Sequence, residues 1–287
     1  MKSSKLLLLL TVLCGVVICS CKKSSNSNQS ATTSSRPAYE KRWNISSATL
    51  SQRPAGLVKK GSLFSPGNIF AHRPAGPDTN YTAIEFLINT YVIFYADNTV
   101  QVGQYSATND TTLILDSLGT IHITSIDSSS FSFTLIPSGG GTITITATVA
   151  SPVGSFSSAS DLAFVSNTWK LDSITENGVL DSSQFVIEDS ISATDTLKEI
   201  DAIFSEYGTY LVRDVYFSGE QDYNTNTWLW TNSSHTGFCY GNWDGTNVSD
   251  CTGLQSVAIS FSPSYNQMII QGEDSDSTYE IDYLTKQ

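Results

Sequence analysis

Eight aromatic residues crowd the 28 positions from Tyr216 to Trp243, against 11% aromatic for the 287-residue chain. Trp228 and Trp230 alternate with Thr227, Leu229 and Thr231, so both indoles leave one face of a strand. Trp243 lies between Cys239 and Cys251, and Tyr240 follows the first of them. Flat aromatic faces with Asp and Asn nearby suit sugar recognition, which combines apolar stacking with hydrogen bonds to hydroxyls. Trp228, Trp230, Tyr240 and Trp243 are therefore the candidate ligand-binding residues. The competing reading makes the Trp pair core, because Trp is usually well buried.

Other chemistry finds little footing. His72, His122 and His235 are the only histidines, and none stands at metal-ligand spacing. No Cys-x-x-Cys, nucleophile elbow, phosphate loop or dinucleotide fingerprint occurs. The stretch Asp244–Asp250 alternates oxygen donors loosely like a calcium loop but lacks the closing glutamate. The expectation is no catalytic residue, no metal, no cofactor and no enzyme activity. Twenty acidic residues after position 150 would bring carboxylates together by chance, so proximity alone says nothing of glycosidase-type chemistry.

The start of the chain reads as an address. Lys2 and Lys5 precede the apolar run Leu6–Ile18, too short for a bilayer span of about 20 residues but suited to a secretory signal. Ile18-Cys19-Ser20-Cys21 resembles the lipobox of bacterial lipoproteins. That resemblance implies cleavage after residue 20 and acylation of Cys21, and more than one acyl chain gives a stable membrane anchor. Lys22 is not the aspartate of inner-membrane retention, so the outer membrane is the expected location, on either face. Cys14 and Cys19 leave with the signal. Cys239 and Cys251 remain as an even pair in an oxidising compartment, which reads as one disulfide. Residues 21–39 are Ser-, Asn- and Thr-rich and read as a lipid anchor followed by a flexible tether, with a reach of roughly 20–25 Å.

Behind these residues stands an all-β pattern. Charged residues are only 15% of the chain, and Tyr (13) and Phe (13) far outnumber Met (2), a bias toward strands. A net charge of −12 argues against a nucleic-acid partner. Short alternating runs recur throughout, and no segment keeps helical periodicity over eleven residues. A Ser/Gly/Pro-rich stretch at 151–164 divides the chain into a first β domain, 40–150, and a second, 165–287. Residues 22–150 hold nine basic and seven acidic residues, whereas 151–287 hold four basic and twenty acidic. Trp43-Asn-Ile-Ser-Ser-Ala-Thr49 and Trp169-Lys-Leu-Asp-Ser-Ile-Thr175 share the pattern Trp-x-aliphatic-x-Ser-x-Thr. Phe94–Val100 and Phe204–Tyr210 read as hairpins turning at Asn98 and Gly208, residues that tolerate positive φ. A duplicated unit is the expectation. On that pairing the first copy carries about 16 extra residues, including the basic Pro/Gly segment from Arg53 to Gly76, expected as a loop.

Asn167-Thr-Trp169-Lys-Leu-Asp-Ser-Ile-Thr-Glu-Asn-Gly178, followed by the Phe204–Tyr210 hairpin, resembles the bacterial lipocalin-like lipoproteins. The resemblance implies two small antiparallel β domains, each a lipocalin-like barrel or a flattened β-sandwich. Such barrels often hold a small apolar ligand. The expected function is an envelope lipoprotein that binds a glycan or small ligand. The alternative is an interaction lipoprotein that docks to another envelope protein and holds no small molecule.

Overall fold

The computed structural model describes residues 36–52, 80–181, 197–245, 248–273 and 278–287. The signal, Cys21, the tether up to residue 35, His72 and the basic 53–76 segment lie outside the described residues, whereas the last tether residues, 36–39, are described and Tyr39 packs into the first barrel. The strands of the first domain are β1 (Arg42–Gln52), β2 (Tyr81–Phe86), β3 (Thr90–Tyr95), β4 (Val100–Asn109), β5 (Thr112–Leu115), β6 (Gly119–Ile126), β7 (Ser130–Pro137) and β8 (Thr142–Val149). A short helix, α1 (Ala159–Val165), follows inside the stretch read as a linker. Then come β9 (Thr168–Glu176), β10 (Val179–Asp181), β11 (Leu197–Phe204), β12 (Thr209–Tyr216), β13 (Gln221–Trp230), β14 (Gly237–Asn242), β15 (Gln255–Phe261), β16 (Gln267–Glu273) and β17 (Tyr279–Lys286).

Both domains are closed eight-stranded antiparallel barrels. β8 returns to β1 in the first, and β17 returns to β9 in the second. Among the described residues, closure gives every stave a hydrogen-bonded neighbour on both sides. The short β10 adds a hairpin alongside β9 and is not a stave. The choice between barrel and sandwich thus falls to the barrel, while membership of the lipocalin-like group is not shown by the fold.

An eight-stranded barrel has an interior just wide enough for side chains to fill, and large apolar side chains crowd that of the first barrel. Trp43, Phe86, Tyr91, Phe131, Phe133, Ile121 and Ile143 are all essentially inaccessible. The buried phenols find acceptors: Tyr91 Oη donates to the Asp116 carbonyl at 2.5 Å, and Tyr105 Oη to the Leu87 carbonyl at 3.0 Å. Polar handles satisfied in this way make large aromatics acceptable core residues.

Each barrel is plugged at one end by an aromatic that precedes its first strand. In the first, Tyr39 packs edge-on against Phe86 and Tyr105, and Trp43 Nε1 donates to the Tyr39 carbonyl at 3.0 Å. In the second, Phe164 of α1 stacks on Phe204, and Trp169 Nε1 donates to the Phe164 carbonyl at 3.1 Å. The helix is fixed by a capping box between Ser158 and Asp161, which satisfies two otherwise unpaired amides. Asp161 also meets His235 Nδ1 at 2.8 Å, and the His235 ring lies flat on Trp230.

Strand register corrects the internal pairing read from the sequence. Trp43 faces Ile84 on β2, and Trp169 faces Ala202 on β11. Phe86 and Phe204 are therefore equivalent, and the counterpart of the Gly208 turn is the turn at Asn89. Asn89, Asn98 and Gly208 all have positive φ (54°, 66° and 86°). The motif Phe94–Val100 belongs to the next hairpin along. Counted from Trp to Phe, the first copy exceeds the second by 8 positions rather than 16.

The barrels meet along the outer faces of β2–β4 and β11–β12. Every residue of β3 is buried, because one face looks into its own barrel and the other is covered. Ala83, Leu87, Val92 and Phe94 pack with Ile203 and Leu211, and Trp243 joins them from the β14–β15 loop. Glu85 is wholly buried here; it accepts from Thr209 Oγ1 at 2.6 Å and from Ser205 Oγ. Burial pushes its carboxyl up, opposed by the Arg42 charge and by the two hydroxyls. The Arg42 guanidinium lies 4.0 Å above the Phe94 ring and also donates to the Tyr207 carbonyl.

Candidate ligand site at the open end of the second barrel

The interior of the second barrel divides into two halves. At the plugged end Phe164, Trp169, Phe204, Trp228 and Met268 are buried in close contact. Toward the other end the packing stops at a cavity of about 40 Å³. One water needs at least about 10–15 Å³ of such space, so the cavity admits a few waters or one ligand head group, not a whole sugar ring or an acyl chain.

Alternation along each strand explains its walls. Tyr210 of β12, Phe238 and Tyr240 of β14 and Gln255 of β15 form one side. The Tyr210 and Tyr240 rings meet edge to face at 5.6 Å, and Tyr210 also stacks on Phe204. The opposite side is β17, where Glu280, Asp282 and Leu284 share a face: they pair with Gly272, Ile270 and Met268 of β16. Leu284 points into the packed half, so the two carboxyls continue the same inward face into the cavity. Gly272 keeps this wall open, since a Cβ there would lie 2.8 Å from Val257 Cγ1.

The electrostatics are unusual for a barrel interior. Asp282 Oδ1 is buried with no hydrogen-bond partner among the described residues. Burial, then the nearby Glu280 charge, and a side-chain hydrogen bond shared with Glu280 push the Asp282 carboxyl up to about 7. Burial likewise raises the Tyr210 phenol, and the Asp282 and Glu280 charges add to that effect. A buried acceptor with nothing to accept from is costly, and a donor from outside would relieve it.

The structure separates the four aromatic candidates. Trp228 is inaccessible, and its Nε1 donates to the Ser205 carbonyl at 3.0 Å, so it is core. Trp230 packs with Phe164 and Trp228 at the plugged end, far down the lumen from the opening. Tyr240 lines the cavity. Trp243 sits outside the lumen, 4.9 Å from Phe94 of the first barrel and beneath Arg42. Cys239 and Cys251 form a disulfide with Cα atoms 5.7 Å apart. It closes the loop that carries Trp243, and Gly245 in that loop fits so closely against Asn98 that a Cβ would overlap it. The loop thus serves the junction between barrels.

Sequence reasoning missed Tyr210, Gln255, Glu280 and Asp282. The available signal was Glu280-x-Asp282-x-Leu284, two carboxylates in strand register with a core leucine. Tyr279, Ile281 and Tyr283 take the other face, and Tyr279 and Tyr283 are 44% and 37% exposed.

No protein-family model and no curated protein matches the chain. Among solved structures it is similar to a tryptophan-to-alanine mutant of the vaccine antigen transferrin-binding protein B from Haemophilus parasuis Hp5. Identity is 9% and the TM-score 0.14, over 73% of this chain and 61% of that one. The chain spans less than two thirds of that protein's length, and a likeness this slight carries no functional argument.

Proposed function

We propose that the protein is a non-enzymatic, lipid-anchored envelope protein whose second barrel binds the head group of a small polar ligand or glycan at its open end. One observation carries this reading: the core of the second barrel stops short at a cavity walled by Tyr210, Tyr240, Glu280 and Asp282. The polar wall disfavours a purely apolar ligand, because hydrocarbon would leave the buried Asp282 Oδ1 without a donor. The small volume assigns the lumen to one functional group, with the rest of the ligand lying across the mouth.

A panel of sugars and small polar metabolites, screened by ligand-detected NMR, tests the reading. Tyr240→Ala and Gly272→Ala should each weaken binding, the first by removing a wall and the second by filling the space. Trp243→Ala should leave it unchanged. Binding that ignores both lumen substitutions would overturn the assignment. Co-purification of a stoichiometric envelope protein, with no ligand bound, would favour the interaction reading instead.

The anchor rests on Ile18-Cys19-Ser20-Cys21 and the apolar run before it. Cys21→Ser should move the protein from the outer-membrane to the soluble fraction while leaving both barrels folded. Retention of the variant in the membrane would contradict the anchor.

A further inference from the structure

We infer that the group received by the second barrel is an organic ammonium, the charged head of a primary amine or amino sugar. The inference rests on the lumen reading above and adds the ligand's chemical class. Three observations converge on it. First, the cavity holds an acceptor in want of a donor: Asp282 Oδ1 is buried without a partner among the described residues, and the Glu280 carboxyl two residues away on the same face adds negative charge. An ammonium brings three donors and the opposite charge, and charge-assisted hydrogen bonds are roughly twice as strong as neutral ones. A hydroxyl brings one donor and no charge.

Second, the wall facing the carboxyls is aromatic. Tyr210, Phe238 and Tyr240 pack edge to face or tilted, with centroids 5.6–6.4 Å apart. Aromatic rings opposite a carboxylate pair make a cage in which a cation gains from both the ring quadrupole and the charge. A hard metal ion would be served poorly. Calcium takes 6–8 oxygen ligands, and among the described residues no three His, Cys, Asp or Glu side chains cluster.

Third, the surrounding charge has the right sign. The half of the chain that builds this barrel holds twenty acidic and four basic residues. Such a field raises the local concentration of cations and their rate of arrival.

Ethanolamine and ethylene glycol, nearly isosteric and differing by one charge, are the test pair. Each is titrated into the purified protein at about pH 8, above the Asp282 titration and below that of the amine, while the ring resonances of Tyr210 and Tyr240 are followed by NMR. Ethanolamine should shift them and bind about tenfold or more tightly than ethylene glycol, the gain expected of a charge-assisted contact. Asp282→Asn, which keeps the shape and removes the charge, should abolish that preference. Equal binding of the two probes would overturn the ammonium assignment and leave the lumen reading standing. If neither probe moves either tyrosine, both readings fall. Ethanolamine binding that survives in Asp282→Asn would also overturn the inference, since the carboxylate would then not be its partner.

Discussion

Replacing Asp282 by Asn should stabilise the folded protein at neutral and alkaline pH, an uncommon outcome for a change inside a barrel. Burial and the Glu280 charge lift the Asp282 carboxyl from 3.8 to about 7. An unfolded chain releases this proton near pH 4, whereas the folded chain keeps it until about pH 7. Folding therefore takes up a proton across that window, and stability falls as pH rises through it. A shift of about three units at about 1.4 kcal/mol each sets a ceiling of about 4 kcal/mol. Solvent at the open mouth and the shared charge of Glu280 reduce this, so about 1–3 kcal/mol is expected. Asn cannot ionise and lacks this term. Urea unfolding at about pH 5 and about pH 8 should show the wild type losing about 1–3 kcal/mol more than the variant between the two. Glu85 and Asp201 are also shifted upward by burial, but they are common to both proteins and cancel in the difference. Identical pH dependence of the two proteins would refute the reasoning, as would a variant less stable than wild type at the higher pH.

The barrel junction yields further expectations. Trp243→Ala should cost about 2 kcal/mol in unfolding experiments, since a partly buried aromatic in an interface is lost, and should leave lumen binding intact. Unreduced protein should weigh two hydrogens less than its reduced form by mass spectrometry, and the Cys239→Ser, Cys251→Ser double variant should be less stable by about 3 kcal/mol in chemical denaturation. Arg213 donates twice to the buried Asp201 carboxylate, at 3.0 and 2.6 Å. Arg213→Ala should therefore destabilise by about 3 kcal/mol, and adding Asp201→Ala should restore part of the loss, because the stranded charge is then gone.

Local pattern made the architecture legible. Alternating runs such as Phe131–Ile136 and Thr142–Val149 became staves, and Asn98 and Gly208 turn with the positive φ that a short amide side chain tolerates and the lack of a Cβ permits. The disulfide followed from cysteine arithmetic alone. The limits lay where a residue's role depends on another part of the chain. Trp43 and Trp169 were visible as paired openings, but the wrong hairpin was matched, since Phe86-x-x-Asn-Thr-Tyr91 is one residue shorter than Phe204-x-x-x-Gly-Thr-Tyr210 and only register aligns them. Trp243 read as a loop tip free to stack on a ligand; the first barrel, unseen in the local pattern, occupies that face. Glu280 and Asp282 were lost among twenty acids because nothing in composition says which carboxyls a barrel turns inward. Tyr210 was read only as the end of a hairpin motif, although the same alternation that buries Leu211 against the first barrel points it into the lumen.

A crystal soaked with glucosamine shows whether ligand enters the second barrel and meets the tyrosine–carboxylate lining. Glucosamine offers ring hydroxyls for the mouth and an ammonium for the interior. Density is expected with the amino group between Tyr210, Tyr240 and Asp282 and the ring at the opening. Density instead stacked on Trp243 or elsewhere on the outer surface, with the lumen unchanged, would contradict it.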